Sequence, residues 1–241
     1  MFNPSRTFCG RPRWRRGFTL VELLVVVSVI SILASLLMPT LLRSMAAAQI
    51  TKCQSNLHQV HGGFLMYLKT YDTYLPAAGR PPTHSYWFDA FKPYLRDENV
   101  YSCPAFQKGK IGYGINHRFV HGERDTGMWC WPTGWYRMNI VKRPAGTILF
   151  GDAGDVLNPS AEPEDWIENT GGNVLGYMHF PQTSSFWTSW CRTTGERKRV
   201  MPRHLGAKTN VCFFDGHTDV YLARDLVDDW RGDPDCLYDN Q

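Results

Sequence analysis

The sequence predicts an α+β fold, with a long N-terminal helix, kinked at a proline, whose second half packs on an antiparallel β-sheet carrying long decorated loops. Three observations carry that expectation. Residues 17–42 form an apolar run with Glu22 as its one charge between Phe18 and Leu42. Leu57, Val60, Phe64, Leu68 and Tyr71 then recur at spacings of three and four, the signature of a helix with one apolar stripe. Downstream, β-rich arms flank Asp215-Gly216, a strong short signal for a hairpin.

The apolar run is long enough to cross a bilayer. A helix over it would rise about 37 Å at about 1.5 Å per residue, against a hydrocarbon core of about 30 Å. Arg6, Arg11, Arg13, Arg15 and Arg16 precede it with no acid among them. Lysines and arginines favour the cytoplasmic side, so the expected topology is single-pass, with the N-terminus cytoplasmic and the C-terminal domain periplasmic. A cleaved secretory signal fits less well, because its small residues should follow the apolar core, whereas Gly17 comes before it.

Residue by residue, Gly17-Phe18-Thr19-Leu20-Val21-Glu22 resembles the processing site of type IV prepilins and of the pseudopilins of type II secretion. The resemblance implies cleavage after Gly17 by a prepilin peptidase and methylation of the new N-terminus at Phe18. Glu22 then becomes the acid near the mature N-terminus, and Pro39 falls where the family often has proline. An isolated carboxylate in a membrane helix costs about 2.5 to 3.5 kcal/mol, so Glu22 needs a partner. In a filament, the amine of a neighbouring Phe18 could supply it; the alternative is an acid that snorkels to the interface.

The expected organisation is a basic leader at 1–17, a transmembrane and assembly helix at 18–42, the soluble half of the helix at 43–75, and an extracytoplasmic β-rich domain at 76–241. Pro39 should bend the helix, since it deletes a hydrogen bond and crowds the preceding turn. Gly62-Gly63 weakens the second half by about 1 kcal/mol per glycine, which packing on a sheet must offset. Beyond Pro81 the texture of Gly, Pro, Asn and Asp breaks points to strands and turns. The strand expected at Thr147-Ile148-Leu149-Phe150 ends at Gly151-Asp152.

Cleavage would take the formal charge of +4 to −1 by removing five arginines and no acids, so no nucleic-acid partner is expected. It would also remove Cys9, leaving six of the seven cysteines: Cys53, Cys103, Cys130, Cys191, Cys212 and Cys236. An even set on the exported side suggests disulfides, with buried free thiols as the alternative.

A second resemblance joins Lys52-Cys53-Gln54-Ser55-Asn56-Leu57, Tyr101-Ser102-Cys103-Pro104, Gly112-Tyr113-Gly114-Ile115-Asn116, residues 148–152 and residues 204–216. These positions look like the pilin-like proteins abundant in planctomycetes, whose domain is named for a histidine, a nine-residue spacer and Asp-Gly. Here the spacer between His204 and Asp215 has ten residues, an insertion expected around Lys208-Thr209. This resemblance implies a pilin-like fold and a Cys53–Cys103 disulfide.

His204, Asp215 and His217, with Asp152, are weak metal candidates, because Asp and two His could hold zinc. The simpler expectation is that Asp215 forms the turn while the His204 ring bonds a backbone carbonyl, so no cofactor is expected. Calcium at Asp225, Asp228, Asp229, Asp233, Asp235 and Asp239 lacks EF-hand spacing, which favours a solvated acidic tail. Arg197, Lys198, Arg199 and Arg203 read as an exposed basic loop. Trp87, Trp129, Trp131, Trp135, Trp166, Trp187 and Trp190 read as core, with a ligand-binding tip as the alternative.

No HExxH, GxSxG or Walker-type loop is present, and the chain is not expected to be an enzyme. The expectation is a structural subunit of a pilus or pseudopilus serving secretion, adhesion or surface display. Its expected partners are prepilin peptidase, other pilin-like subunits and the inner membrane. A membrane-anchored binding module for glycans or exported proteins is the second reading, and a metal-dependent hydrolase the third.

Overall fold

The computed structural model describes residues 18–76, 87–106, 111–116, 137–158, 161–169, 177–178 and 198–227. The chain divides into two units, Met1–Met45 and Ala46–Gln241. Helix α1, Leu20–Thr70, contributes to both and remains helical through Pro39.

In the first unit, α1 exposes apolar side chains on every face: Leu24, Val27, Ile30, Leu33 and Leu37 are all at least half exposed. Among the described residues of this unit every side chain is exposed. Ser28 and Ser31 return their hydroxyls to the carbonyls of Leu24 and Val27, so these polar side chains are satisfied within the helix.

The second unit is an α+β layer structure. From Cys53 onward α1 buries one face, with Cys53, Leu57, Val60, Phe64, Tyr67 and Leu68 packed into the core. Lys52, Ser55, Gln59 and Lys69 stay exposed, as the periodicity predicts. The stripe ends differently from its expected course: Tyr67 is buried while Tyr71 is half exposed, because α1 stops at Thr70 and a turn begins. Asp72 and Thr73 take left-handed backbone angles in that turn.

Strands β1 (Tyr113–Asn116), β2 (Ile148–Asp155), β3 (Tyr177–Met178), β4 (Lys198–Val200), β5 (Lys208–Phe213) and β6 (Thr218–Leu222) make one sheet. Its order is β3-β1-β2-β5-β6, with β4 also paired to β2. The four strands β1, β2, β5 and β6 pair antiparallel with one another, and β3 adds to β1 in parallel. Strand β2 runs on through Gly151-Asp152 to Asp155, beyond its expected end.

A register shift between Ile148 and Phe150 breaks the alternation of β2. The irregularity lets Leu149 and Phe150 both join the core shared with α1, while Ile148 faces a second cluster with Val211, Phe213 and Leu226 of α3 (Ala223–Val227). Residues 87–101 depart from the expected strands: they form α2 (Trp87–Phe91) and short 3-10 turns at Lys92–Tyr94 and Glu98–Tyr101. Those turns press Trp87 and Phe91 against Phe150 and Phe64 in edge and tilted ring contacts. Trp87 is fully buried and Trp166 nearly so, which makes both core residues; Trp129, Trp131, Trp135, Trp187 and Trp190 lie outside the described residues.

The basic stretch is not a free loop. Lys198 and Arg199 belong to β4, and Arg203 is buried in an ion pair with Glu168 while donating to the carbonyls of Gly112 and Ala153. Its position between strands explains the difference, since a guanidinium can satisfy several buried acceptors at once.

Candidate functional site

At the start of α1, Thr19 and Glu22 form a capping box. The Glu22 carboxylate accepts from the Thr19 backbone N–H at 2.8 Å and from its hydroxyl at 2.7 Å, and the Thr19 hydroxyl oxygen accepts from Glu22 N–H at 3.2 Å. Both Thr19 bonds use Oε2, so Oε1 has no partner among the described residues. Thr19-Leu20-Val21-Glu22 carries the capping signature in plain sequence, beside the assembly role expected of Glu22. Phe18 next to it is exposed; Gly17 lies outside the described residues.

A hairpin turn docks on the second half of the same helix. Phe213 accepts from Gly216 N–H at 3.0 Å and donates to the His217 carbonyl at 2.9 Å, closing the turn between β5 and β6. Gly216 alone holds the left-handed angle here, at φ +95, so Asp215 is not the positive-φ residue expected from a two-residue turn. A Cβ on Gly216 would lie 2.7 Å from the His61 ring, so glycine is required by space as well as by angle. His61 Nε2 bonds the Phe214 carbonyl at 3.1 Å and His58 Nδ1 meets the Gly216 carbonyl at 3.3 Å. These two histidines tie the Asp-Gly turn to the helix.

The metal candidates separate into two places. Asp215 and His217 pair with each other at 2.6 Å on the exposed turn. Backbone and side-chain bonds from His217 outweigh partial burial and hold the Asp215 carboxyl below its ordinary value. His204 and Asp152 instead lie in the core, with His204 Nε2 3.2 Å from Asp152 Oδ2. The His204 ring therefore bonds a carboxylate rather than a backbone carbonyl, and its Nδ1 has no partner among the described residues.

Cys53 and Cys103 complete this group. Cys53 comes from α1, Cys103 follows the 3-10 turn Glu98–Tyr101, Asp152 is on the helix-facing side of β2, and His204 precedes β5. Cys53 Sγ lies 3.7 Å from Cys103 Sγ, 3.2 Å from Asp152 Oδ1 and 3.1 Å from the Tyr113 hydroxyl. Cys103 Sγ lies 3.8 Å from His204 Nε2. All four potential ligand atoms fall within 4.8 Å of one another, and all four residues are buried. Cys53, Cys103 and Cys212 are free thiols; Cys130, Cys191 and Cys236 lie outside the described residues. The two cysteines paired by resemblance are thus neighbours, with no bond between their sulphurs.

Local structure aims each member. A Cβ on Gly112 would lie 2.6 Å from the Cys103 backbone nitrogen, so glycine there lets β1's approach close over the cysteine loop. His204 exchanges backbone bonds with Lys208 across residues 205–207, where Gly206 and Ala207 take left-handed angles. Lys208 and Thr209, where the extra spacer residue was expected to form a loop, belong to β5. Asp152 is held by Asn210, whose backbone N–H donates at 2.7 Å and side chain at 3.1 Å.

The electrostatics follow from crowding. Burial works against a charged His204, but hydrogen bonds to Asp152 and Cys103 push it up to about 9. Burial also opposes the Asp152 anion, and the bonds and charge of His204 together with the field of Arg203 pull it below the usual carboxylate range. A hydrogen bond from Cys53, helped by His204 and Arg203 against burial, lowers Cys103 to about 7, while burial drives Cys53 well above the ordinary thiol value.

Comparison with known proteins bears on the first of these regions. No curated protein and no solved structure matches the chain. A family model described as the prokaryotic N-terminal methylation motif matches residues 15–38, which places the Gly17-Phe18 junction, the capping box and most of the exposed apolar helix inside a prepilin-type N-terminus.

Proposed function

We propose that the chain is a structural, prepilin-like subunit that prepilin peptidase cleaves after Gly17 and that assembles with other pilin-like subunits into a pilus or pseudopilus. The observation that carries this reading is the pairing of the methylation motif with a helix whose first half is apolar and, among the described residues, exposed. The window with mean hydropathy 2.7 in α1 suits residence in the inner membrane before assembly and helix-to-helix packing after it. Secretion, adhesion or surface display would follow from what the globular unit presents on the filament.

In this reading Glu22 has two duties. Oε2 caps its own helix through Thr19, and Oε1 receives the methylated amine of a neighbouring Phe18. Crosslinking between cysteines introduced into neighbouring 18–42 segments reads assembly directly. Glu22→Gln keeps an amide oxygen able to cap but loses the charge, and Glu22→Leu loses both. Both variants should insert in the membrane while crosslinked oligomers fall about tenfold or more, as loss of a buried charge pair predicts. Wild-type oligomers from Glu22→Gln would refute the charge pairing.

A further inference from the structure

The buried quartet in the globular unit has a chemistry that a filament subunit does not require. We propose that Cys53, Cys103, Asp152 and His204 form a structural zinc site, in which two thiolates, one carboxylate oxygen and one imidazole nitrogen bind a divalent cation. The inference stands on the second unit alone and is independent of cleavage or assembly.

Geometry is the first argument. With Zn–S of about 2.3 Å and Zn–N and Zn–O of about 2.0 to 2.2 Å, a tetrahedron has edges of about 3.8 Å for S–S, 3.3 Å for N–O and 3.6 Å for the mixed pairs. Cys53 Sγ lies 3.7 Å from Cys103 Sγ and Cys103 Sγ 3.8 Å from His204 Nε2, while the Asp152 carboxylate reaches both sides, with Oδ2 3.2 Å from His204 Nε2 and Oδ1 3.2 Å from Cys53 Sγ. One ligand atom from each of four side chains on four segments lies within 4.8 Å of the others, so a modest closure around one ion brings them to tetrahedral spacing.

Donor chemistry is the second. Two sulphurs, a nitrogen and an oxygen select zinc over calcium or magnesium, which take six or more oxygens. The surroundings are those of a metal site's outer layer: Asn210 fixes the Asp152 carboxylate, Tyr113 OH meets the Cys53 sulphur, and Arg203, paired with Glu168, is near enough for its field to act on Asp152 and Cys103. Binding displaces the two thiol protons and the proton shared by His204 and Asp152 to solvent, with no change in oxidation state. Four protein ligands with no exposure leave no open position, so the site is structural and ties α1 to the sheet.

The experiment uses the full-length chain in detergent, reduced, stripped with chelator and given zinc chloride. The expected result is one zinc per chain retained through gel filtration. Cobalt in its place should give the intense visible absorption of a tetrahedral ion with sulphur-to-metal charge transfer. Cys103→Ser and His204→Ala should retain below about a tenth of the wild-type zinc, while His217→Ala on the exposed turn should retain all of it. Because the core variants could fail to fold, the cobalt spectrum of the unaltered chain decides on its own. No retained zinc, a weak octahedral cobalt spectrum, or a Cys53–Cys103 disulfide in chain isolated without reductant would each overturn the proposal.

Discussion

The two halves of α1 share one helix and have opposite relations to the rest of the chain. Ile30 and Leu33 are 59% and 55% exposed, whereas Val60 and Phe64 are fully buried. Composition explains it. The first half is apolar all round, so no single face can be chosen against a sheet, and a helix of that kind is buried by lipid or by other helices. The second half alternates polar and apolar residues at helical spacing, which gives the sheet one face to cover. Continuity of a helix therefore says little about continuity of its environment.

The largest expected effect sharpens that contrast. Phe64→Ala, in the ring cluster with Phe91, Phe150 and Phe214, should cost the globular unit about 3 to 5 kcal/mol in denaturant unfolding of the detergent-solubilised chain. Ile30→Ala should leave the same transition unmoved, because the first half adds nothing to that core. A comparable loss from Ile30→Ala would break the comparison.

A smaller effect is expected where the second half of α1 meets the hairpin. Gly216→Ala combines a left-handed backbone with a 2.7 Å approach to His61 and should cost about 2 to 3 kcal/mol. Gly206→Ala, with φ +80 but open space, should cost nearer about 1 kcal/mol. Equal losses would mean that contact with the helix does not matter at this turn.

The smallest effect is a pH dependence. Burial pulls His61 below its ordinary value of 6.5, only partly offset by the Phe214 carbonyl. The unfolded chain takes up that proton first, so its contribution to stability is present above 6.5 and is lost as pH falls through the lower folded value. Unfolding at a series of pH values should show this loss, and His61→Gln, which keeps an N–H donor, should flatten the part that His61 supplies. A slope unchanged by the substitution would assign the acid sensitivity elsewhere.

These contrasts also mark what the sequence made legible. Local periodicity carried α1, the β2 start and the β5–β6 hairpin, since each is written in contiguous residues. The quartet was legible only in fragments. Its members lie 50 to 101 residues apart in the pairs that touch, and they converge through sheet register and helix docking rather than through spacing. Asp152 and His204 are recognisable ligand types, and so are Asp215 and His217, which lie near His204 in the chain. The hairpin carries that pair out to the exposed turn. The resemblance implied a Cys53–Cys103 disulfide, and nothing in the spacing of the two cysteines points to the Asp152 and His204 that lie beside them. Short helices at 87–101 were hidden by Pro and Asp breaks that suit 3-10 turns as well as strands.

The central claim is that the first half of α1 is released from its basic leader to find burial among other chains. Mass spectrometry of the N-terminal peptide, from protein recovered from cells that contain a prepilin peptidase, tests it most directly. The account predicts a peptide beginning at Phe18 and carrying one N-methyl group, abolished by Gly17→Glu. A chain that still carries residues 1–17 beside the active peptidase would contradict it.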